Sequence, residues 1–108
     1  MFEPPYEYSF LSYQEDAART AGDTRLEILA LGIAGEAGEV ADYIKKVVGH
    51  GHALDPQALQ KELGDVLWYV AMLATKCGLD LDLVAQANIE KLRKRYPDGF
   101  STERSKNR

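Results

Sequence analysis

Cysteine is nearly absent from this chain: Cys77 is the only one in 108 residues. An internal disulfide is excluded, and the thiol is expected to act as a small core residue in a reducing compartment. Histidine is also scarce. His50 and His52 flank Gly51, and with no third ligand of that kind nearby they read as a solvated loop rather than a zinc site. No apolar run is long enough for a membrane span, and no basic-then-apolar start marks a signal peptide. A cytoplasmic protein without a membrane partner is expected. Positive charge does not dominate either: 13 Lys and Arg stand against 17 Asp and Glu, a net charge of −4. A nucleic-acid partner, which calls for a basic surface, is not expected. Strand-like alternation, repeats, a Gly-x-x-x-x-Gly-Lys phosphate loop and a nucleophilic triad pattern are all missing.

What remains is helix punctuated by glycine. Apolar content of 45% and charged content of 28% are ordinary for a globular domain, and the length suits one domain with a modest core. The start, through Pro4 and Pro5, reads as extended. A first helix is expected from Ser9 to Ala21, stopped by Gly22. A second opens on a capping box, Thr24-Arg25-Leu26-Glu27, and carries Leu26, Leu29, Ile33, Ala37, Val40, Ile44 and Val47 on one stripe until Gly49. Asp55 and Pro56 start a third, with Leu59, Leu63, Val66, Leu67, Val70, Leu73 and Cys77 as its stripe and Gly78 as its end. A fourth runs from Asp80 to Arg95 and stops before Pro97. Short loops imply antiparallel neighbours. The expectation is an all-α, four-helix, bundle-like single domain over residues 1–108, with a core from about 8 to 97 and a loose polar tail over 101–108.

Two acidic pairs stand out, Glu36-Ala37-Gly38-Glu39 and Glu62-Leu63-Gly64-Asp65. The i,i+3 spacing puts both carboxylates of a pair on one helix face. On a helical wheel each pair flanks its apolar stripe, so the acids belong at the rim of the helix–helix interface, where unpaired carboxylates are costly. Antiparallel packing would bring all four together. Such a set fits hard divalent cations, Mg²⁺ or Mn²⁺. Next to phosphates, a divalent cation offsets charge on the phosphoryl oxygens, while a spare carboxylate orients or deprotonates the attacking water. Glu36, Glu39, Glu62 and Asp65 are therefore candidates both for the metal and for catalysis of phosphoanhydride hydrolysis. The plainer alternative pairs these acids with Lys45, Lys46 and Lys61. A di-iron site would need Glu-x-x-His motifs, which are missing. The helix-interior glycines Gly32, Gly35, Gly38 and Gly64, each costing about 1 kcal/mol against alanine, point to close helix approach or room for a ligand.

On the fourth helix, Asn88, Lys91 and Arg95 fall within about 60° on the wheel, a strip able to hold a triphosphate. Arg93 and Lys94 read simply as cations favoured near a helix C-terminus. Gln14 on the first helix is a candidate reader of a base edge. Trp68 and Tyr69 read as core or subunit-interface residues.

The run Leu31-Gly32-Ile33-Ala34-Gly35-Glu36-Ala37-Gly38-Glu39-Val40, the run Glu62-Leu63-Gly64-Asp65-Val66-Leu67-Trp68-Tyr69, and Asn88-Ile89-Glu90-Lys91-Leu92 followed by Arg95-Tyr96-Pro97 resemble the MazG-type nucleotide pyrophosphohydrolases. The resemblance spans nearly the whole chain. It implies an all-α NTP pyrophosphatase fold and Mg²⁺-dependent cleavage of a nucleoside triphosphate between the α and β phosphates. By motif position, Glu36, Glu39, Glu62 and Asp65 match the metal ligands, and Asn88, Lys91 and Arg95 match the region that meets substrate. The fuller family pattern has Glu-Glu-x-x-Glu in the second helix, where this chain has Gly35 first. The resemblance also implies a homo-oligomer, a dimer or a dimer-of-dimers tetramer, in keeping with the thin core available to one copy.

The expected activity is thus nucleoside-triphosphate pyrophosphohydrolysis on non-standard or surplus nucleotides. The alternatives are a phosphoribosyl-ATP pyrophosphohydrolase and a non-enzymatic helical interaction module.

Overall fold

The computed structural model describes residues 7–107, so the expected extended start at Pro4 and Pro5 lies outside the described residues. Among these residues five helices follow in order: α1 (Phe10–Ala18), α2 (Leu26–His50), α3 (Pro56–Lys76), α4 (Leu81–Arg95) and a short α5 (Thr102–Lys106). Among the described residues no strand is present, and no helix is long and apolar enough to cross a membrane. The fold is all-α.

Local chemistry explains most boundaries. Ser9 accepts from the Ser12 amide at the start of α1, Asp55 from Gln57 at α3, and Asp80 from Asp82 at α4. Each side chain satisfies an amide that the first helical turn leaves without a partner. Gly51 and Gly78 both take φ of 71°, the left-handed turn that closes α2 and follows α3 and that side chains disfavour.

Four expectations change. α1 ends at Ala18, with Arg19 as its C-cap, short of the expected end at Ala21. The capping box at Thr24 does not form: Arg25 is the N-cap and makes no side-chain cap bond. Asp23 instead accepts from the Arg25 amide at 3.0 Å and pairs with its guanidinium at 2.6 Å, which holds the Asp23 carboxyl down to about 2. Cys77, expected in the core, is exposed at the C-cap of α3. The segment read as a polar tail carries the five-residue helix α5, capped by Ser101.

The core is small. Ala17, Leu29, Ala71, Met72, Ala74 and Leu81 are the buried hydrophobics, drawn from all four long helices. α2 and α3 form an antiparallel hairpin closed by Tyr43, whose hydroxyl accepts from the Asp55 amide at 2.7 Å and donates to its carbonyl at 3.2 Å. α1 lies along α3, and α4 packs on α1. Trp68 joins α3 to the end of α1 by donating to Thr20 Oγ1 at 2.8 Å.

Much of the expected apolar stripe stays uncovered within one chain. Leu26, Ile44 and Leu63 are exposed, as are Leu83, Val84 and Ile89 on α4. The radius of gyration, 16.8 Å, exceeds the value of about 13 Å typical of a compact domain this long.

Candidate metal centre

α2 and α3 run in opposite directions, so the turn holding Glu36 meets the turn holding Glu62 and Asp65. Carboxylate oxygens of these three residues lie within 4.8 Å of one another. Glu36 and Glu62 are half-buried and Asp65 is exposed. The wheel's prediction of acids at the rim of the interface describes this position.

Three like charges meet in this group. Lys45 and Lys46 do not neutralise it; both turn to Asp42, at 3.3 and 2.9 Å. Among the described residues none of Glu36, Glu39, Glu62 and Asp65 takes part in an ion pair. The pKa of Glu36 is pushed up, first by loss of solvent and then by the charges of Asp65, Glu62 and Glu39. Three oxygen donors at this spacing fit a hard divalent cation, which would relieve the repulsion.

Glu39 is not in this group of three, although its charge acts on Glu36 one turn earlier. The expected convergence of four carboxylates is therefore a convergence of three with the fourth beside it.

Only one of the four singled-out glycines makes a close approach. A β-carbon built on Gly32 would run into the Tyr69 ring, while those on Gly35, Gly38 and Gly64 would meet nothing within 4 Å. Tyr69 therefore closes α2 against α3 one turn from Glu36.

Gln14 belongs to the fold. It is buried, with 6% exposure, and its Nε2 donates to Thr75 Oγ1 at 2.9 Å and to the Leu79 carbonyl at 2.8 Å. Its Oε1 accepts from the Leu81 amide at 2.8 Å. Both ends of the amide are engaged in holding α1, α3 and the start of α4 together, which leaves it no free donor to read a base.

The cationic strip of α4 is not brought to the acidic group within one chain. Lys91 and Arg95 line a cavity with Lys94 and residues of α5, and none of the four acids lines it. Asn88 is exposed and lies outside that lining.

One neighbour of the site went unread in the sequence. Tyr13 on α1 has its pKa raised by burial and by the charge of Asp65. An apolar cavity of about 600 Å³ opens beside it, between α1 residues Phe10 and Tyr13 and α3 residues Gln60 and Leu67. No local pattern signals this, because it depends on how α1 packs on α3.

Comparison with known proteins bears on this geometry. Residues 24–100 match the MazG nucleotide pyrophosphohydrolase domain. The chain is similar to Gene 37 protein of Mycobacterium phage L5, 41% identical over 78 residues that cover 68% of each chain. It is similar to dCTP pyrophosphatase 1 of Homo sapiens, 39% identical over 75 residues, 64% of this chain and 44% of that protein, with the same figures for the Rattus norvegicus protein. The match thus spans less than half the length of these two relatives.

Proposed function

On the premise that the chain belongs to the MazG nucleotide pyrophosphohydrolase family, we propose that it is a Mg²⁺-dependent nucleoside-triphosphate pyrophosphohydrolase that cleaves between the α and β phosphates. The observation that carries this reading is the unpaired group Glu36, Glu62 and Asp65 between α2 and α3. Three carboxylates left without a cation are a poor way to build a helix interface and a good way to hold a divalent ion.

In this reading Glu36, Glu62 and Asp65 hold Mg²⁺, and Glu39, outside the group but one turn away, orients the attacking water and takes its proton. Mg²⁺ bound there supplies charge neutralisation for the phosphoryl oxygens. Lys91 and Arg95 contribute positive charge to the phosphate chain, with Asn88 as a neutral contact beside them. Because α4 packs on α1, these groups reach an acidic site most readily when copies assemble. The exposed Leu26, Ile44, Leu63 and Ile89 supply an apolar surface for that assembly, and the large radius of gyration fits a chain completed by a copy of itself. One domain, working in the cytoplasm on the nucleotide pool, completes the reading.

A panel of NTPs and dNTPs tests it, with dCTP first because of the names of the relatives and phosphoribosyl-ATP included. Pyrophosphate release that requires Mg²⁺ and is lost in Glu62→Gln supports the proposal. Full activity in Glu62→Gln sinks the site. Cleavage of phosphoribosyl-ATP alone moves the activity to that substrate.

A further inference from the structure

Aromatic side chains brace the two helices that carry the acidic group. The Tyr69 ring lies on Gly32, where a β-carbon would run into it. Gly32 stands four residues before Glu36 on α2, and Tyr69 four residues after Asp65 on α3. The contact is therefore one helical turn from a carboxylate on either helix. Tyr69 is itself held. Its ring meets Trp68 edge-on, with ring centres 4.9 Å apart, and the Trp68 indole is tied to the end of α1 by donating to Thr20 Oγ1 at 2.8 Å. Both rings pack against the buried core. A ring held in this way acts as a spacer between α2 and α3. Gly35, Gly38 and Gly64 meet nothing within 4 Å, so among these glycines the spacer acts at Gly32 alone.

Spacing matters to a cation because its size fixes how far apart its donors sit. Mg²⁺ holds oxygens at about 2.0–2.1 Å and Ca²⁺ at about 2.3–2.6 Å, so opposite donors lie about 4.1 Å apart around the first and about 4.9 Å apart around the second. Mg²⁺ also demands near-octahedral geometry, whereas Ca²⁺ tolerates irregular sets. Oxygens of Glu36, Glu62 and Asp65 lie within 4.8 Å of one another, a limit that admits either ion. Helix separation, which depends on the side chains at the contact, then decides between them. The glutamates can follow a shift through their extra methylene. Asp65, with the shortest side chain and one turn from Tyr69, follows least.

We infer that the Gly32–Tyr69 contact determines which cation the acidic group selects, holding α2 and α3 close enough to favour Mg²⁺ over Ca²⁺. Tyr69 is a positioning residue in this role, acting through helix separation and not by touching the ion. The inference rests on the reading that Glu36, Glu62 and Asp65 hold a divalent cation, and adds what chooses the ion.

Calorimetric titration of the metal-free full chain with Mg²⁺ and with Ca²⁺ tests it. Wild type is expected to bind Mg²⁺ the tighter. Gly32→Ala, which forces ring and helix apart, is expected to lower the ratio of Mg²⁺ to Ca²⁺ affinity by about tenfold. Tyr69→Phe keeps the ring and leaves the ratio unchanged. Tyr69→Leu added to Gly32→Ala makes room for the methyl group and returns the ratio to within about threefold of wild type. Thr20→Val, at an exposed position, unties Trp68 and lowers the ratio in the same direction by about twofold, which keeps the test available if Gly32→Ala does not fold. Tighter Ca²⁺ binding by wild type, a ratio unmoved by Gly32→Ala or, where that variant does not fold, by Thr20→Val, a loss shared equally by both ions, or a Gly32→Ala defect that Tyr69→Leu does not relieve overturns the inference. A wild type that binds neither ion overturns the cation reading itself.

Discussion

The Tyr69 ring lies against the bare backbone of Gly32, leaving no room for a β-carbon between them. This contact sets how closely α3 approaches α2 one turn from Glu36, and so how closely Glu62 and Asp65 approach it. The other glycines of α2 and α3 border open space within the chain.

Opposite outcomes follow for two similar substitutions. Gly32→Ala gains about 1 kcal/mol of helix propensity but must displace an aromatic ring from a packed contact, a loss of about 1–3 kcal/mol, and is expected to lower stability overall. Gly35→Ala meets nothing and is expected to raise stability by up to about 1 kcal/mol. Urea denaturation of both variants measures the pair. A destabilised Gly35→Ala would mean that another chain covers this face.

Glu36 ties stability to pH. Its folded-state pKa lies above the ordinary 4.5 because of lost solvent and its acidic neighbours. The folded state therefore holds the proton more tightly than the unfolded one, and stability falls as pH rises from 4.5 through the raised value. In chelator at pH 7, Glu36→Gln is expected to melt above the wild type, and the gap should close below pH 4.5. Saturating Mg²⁺ should reverse the order, because ligand binding to the native state raises only the protein that retains its donors. A Glu36→Gln variant that melts with the wild type under every condition would contradict both halves.

Gln14→Leu separates fold from site. The substitution removes three hydrogen bonds and strands the Leu81 amide in a buried position. A loss of about 1–3 kcal/mol in stability is expected, with KM for nucleotide unchanged in the folded fraction. A raised KM at unchanged stability would return Gln14 to the substrate.

The sequence disclosed what is local. Asp55 and Asp80 cap helices by accepting from amides two residues on, so their positions show in the chain alone. The convergence of Glu36 with Glu62 and Asp65 was legible because i,i+3 spacing and a short antiparallel connection suffice to bring the pairs together. That Glu39 stands apart was not, since it depends on side-chain positions set by packing. Cys77 is exposed at the C-cap of α3, and whether a neighbour covers a helix end depends on packing that no spacing rule shows. Gln14 finds its partners at Thr75, Leu79 and Leu81, 61 to 67 residues away, where no spacing rule reaches.

Phosphorus NMR of the products from a nucleoside triphosphate, with Mg²⁺ and with chelator, tests the central claim most directly. Nucleoside monophosphate and pyrophosphate are expected, with Mg²⁺ only, and both should disappear in Glu62→Gln. Nucleoside diphosphate and inorganic phosphate, or turnover that persists in chelator or in Glu62→Gln, would contradict a metal-dependent pyrophosphohydrolase built on Glu36, Glu62 and Asp65.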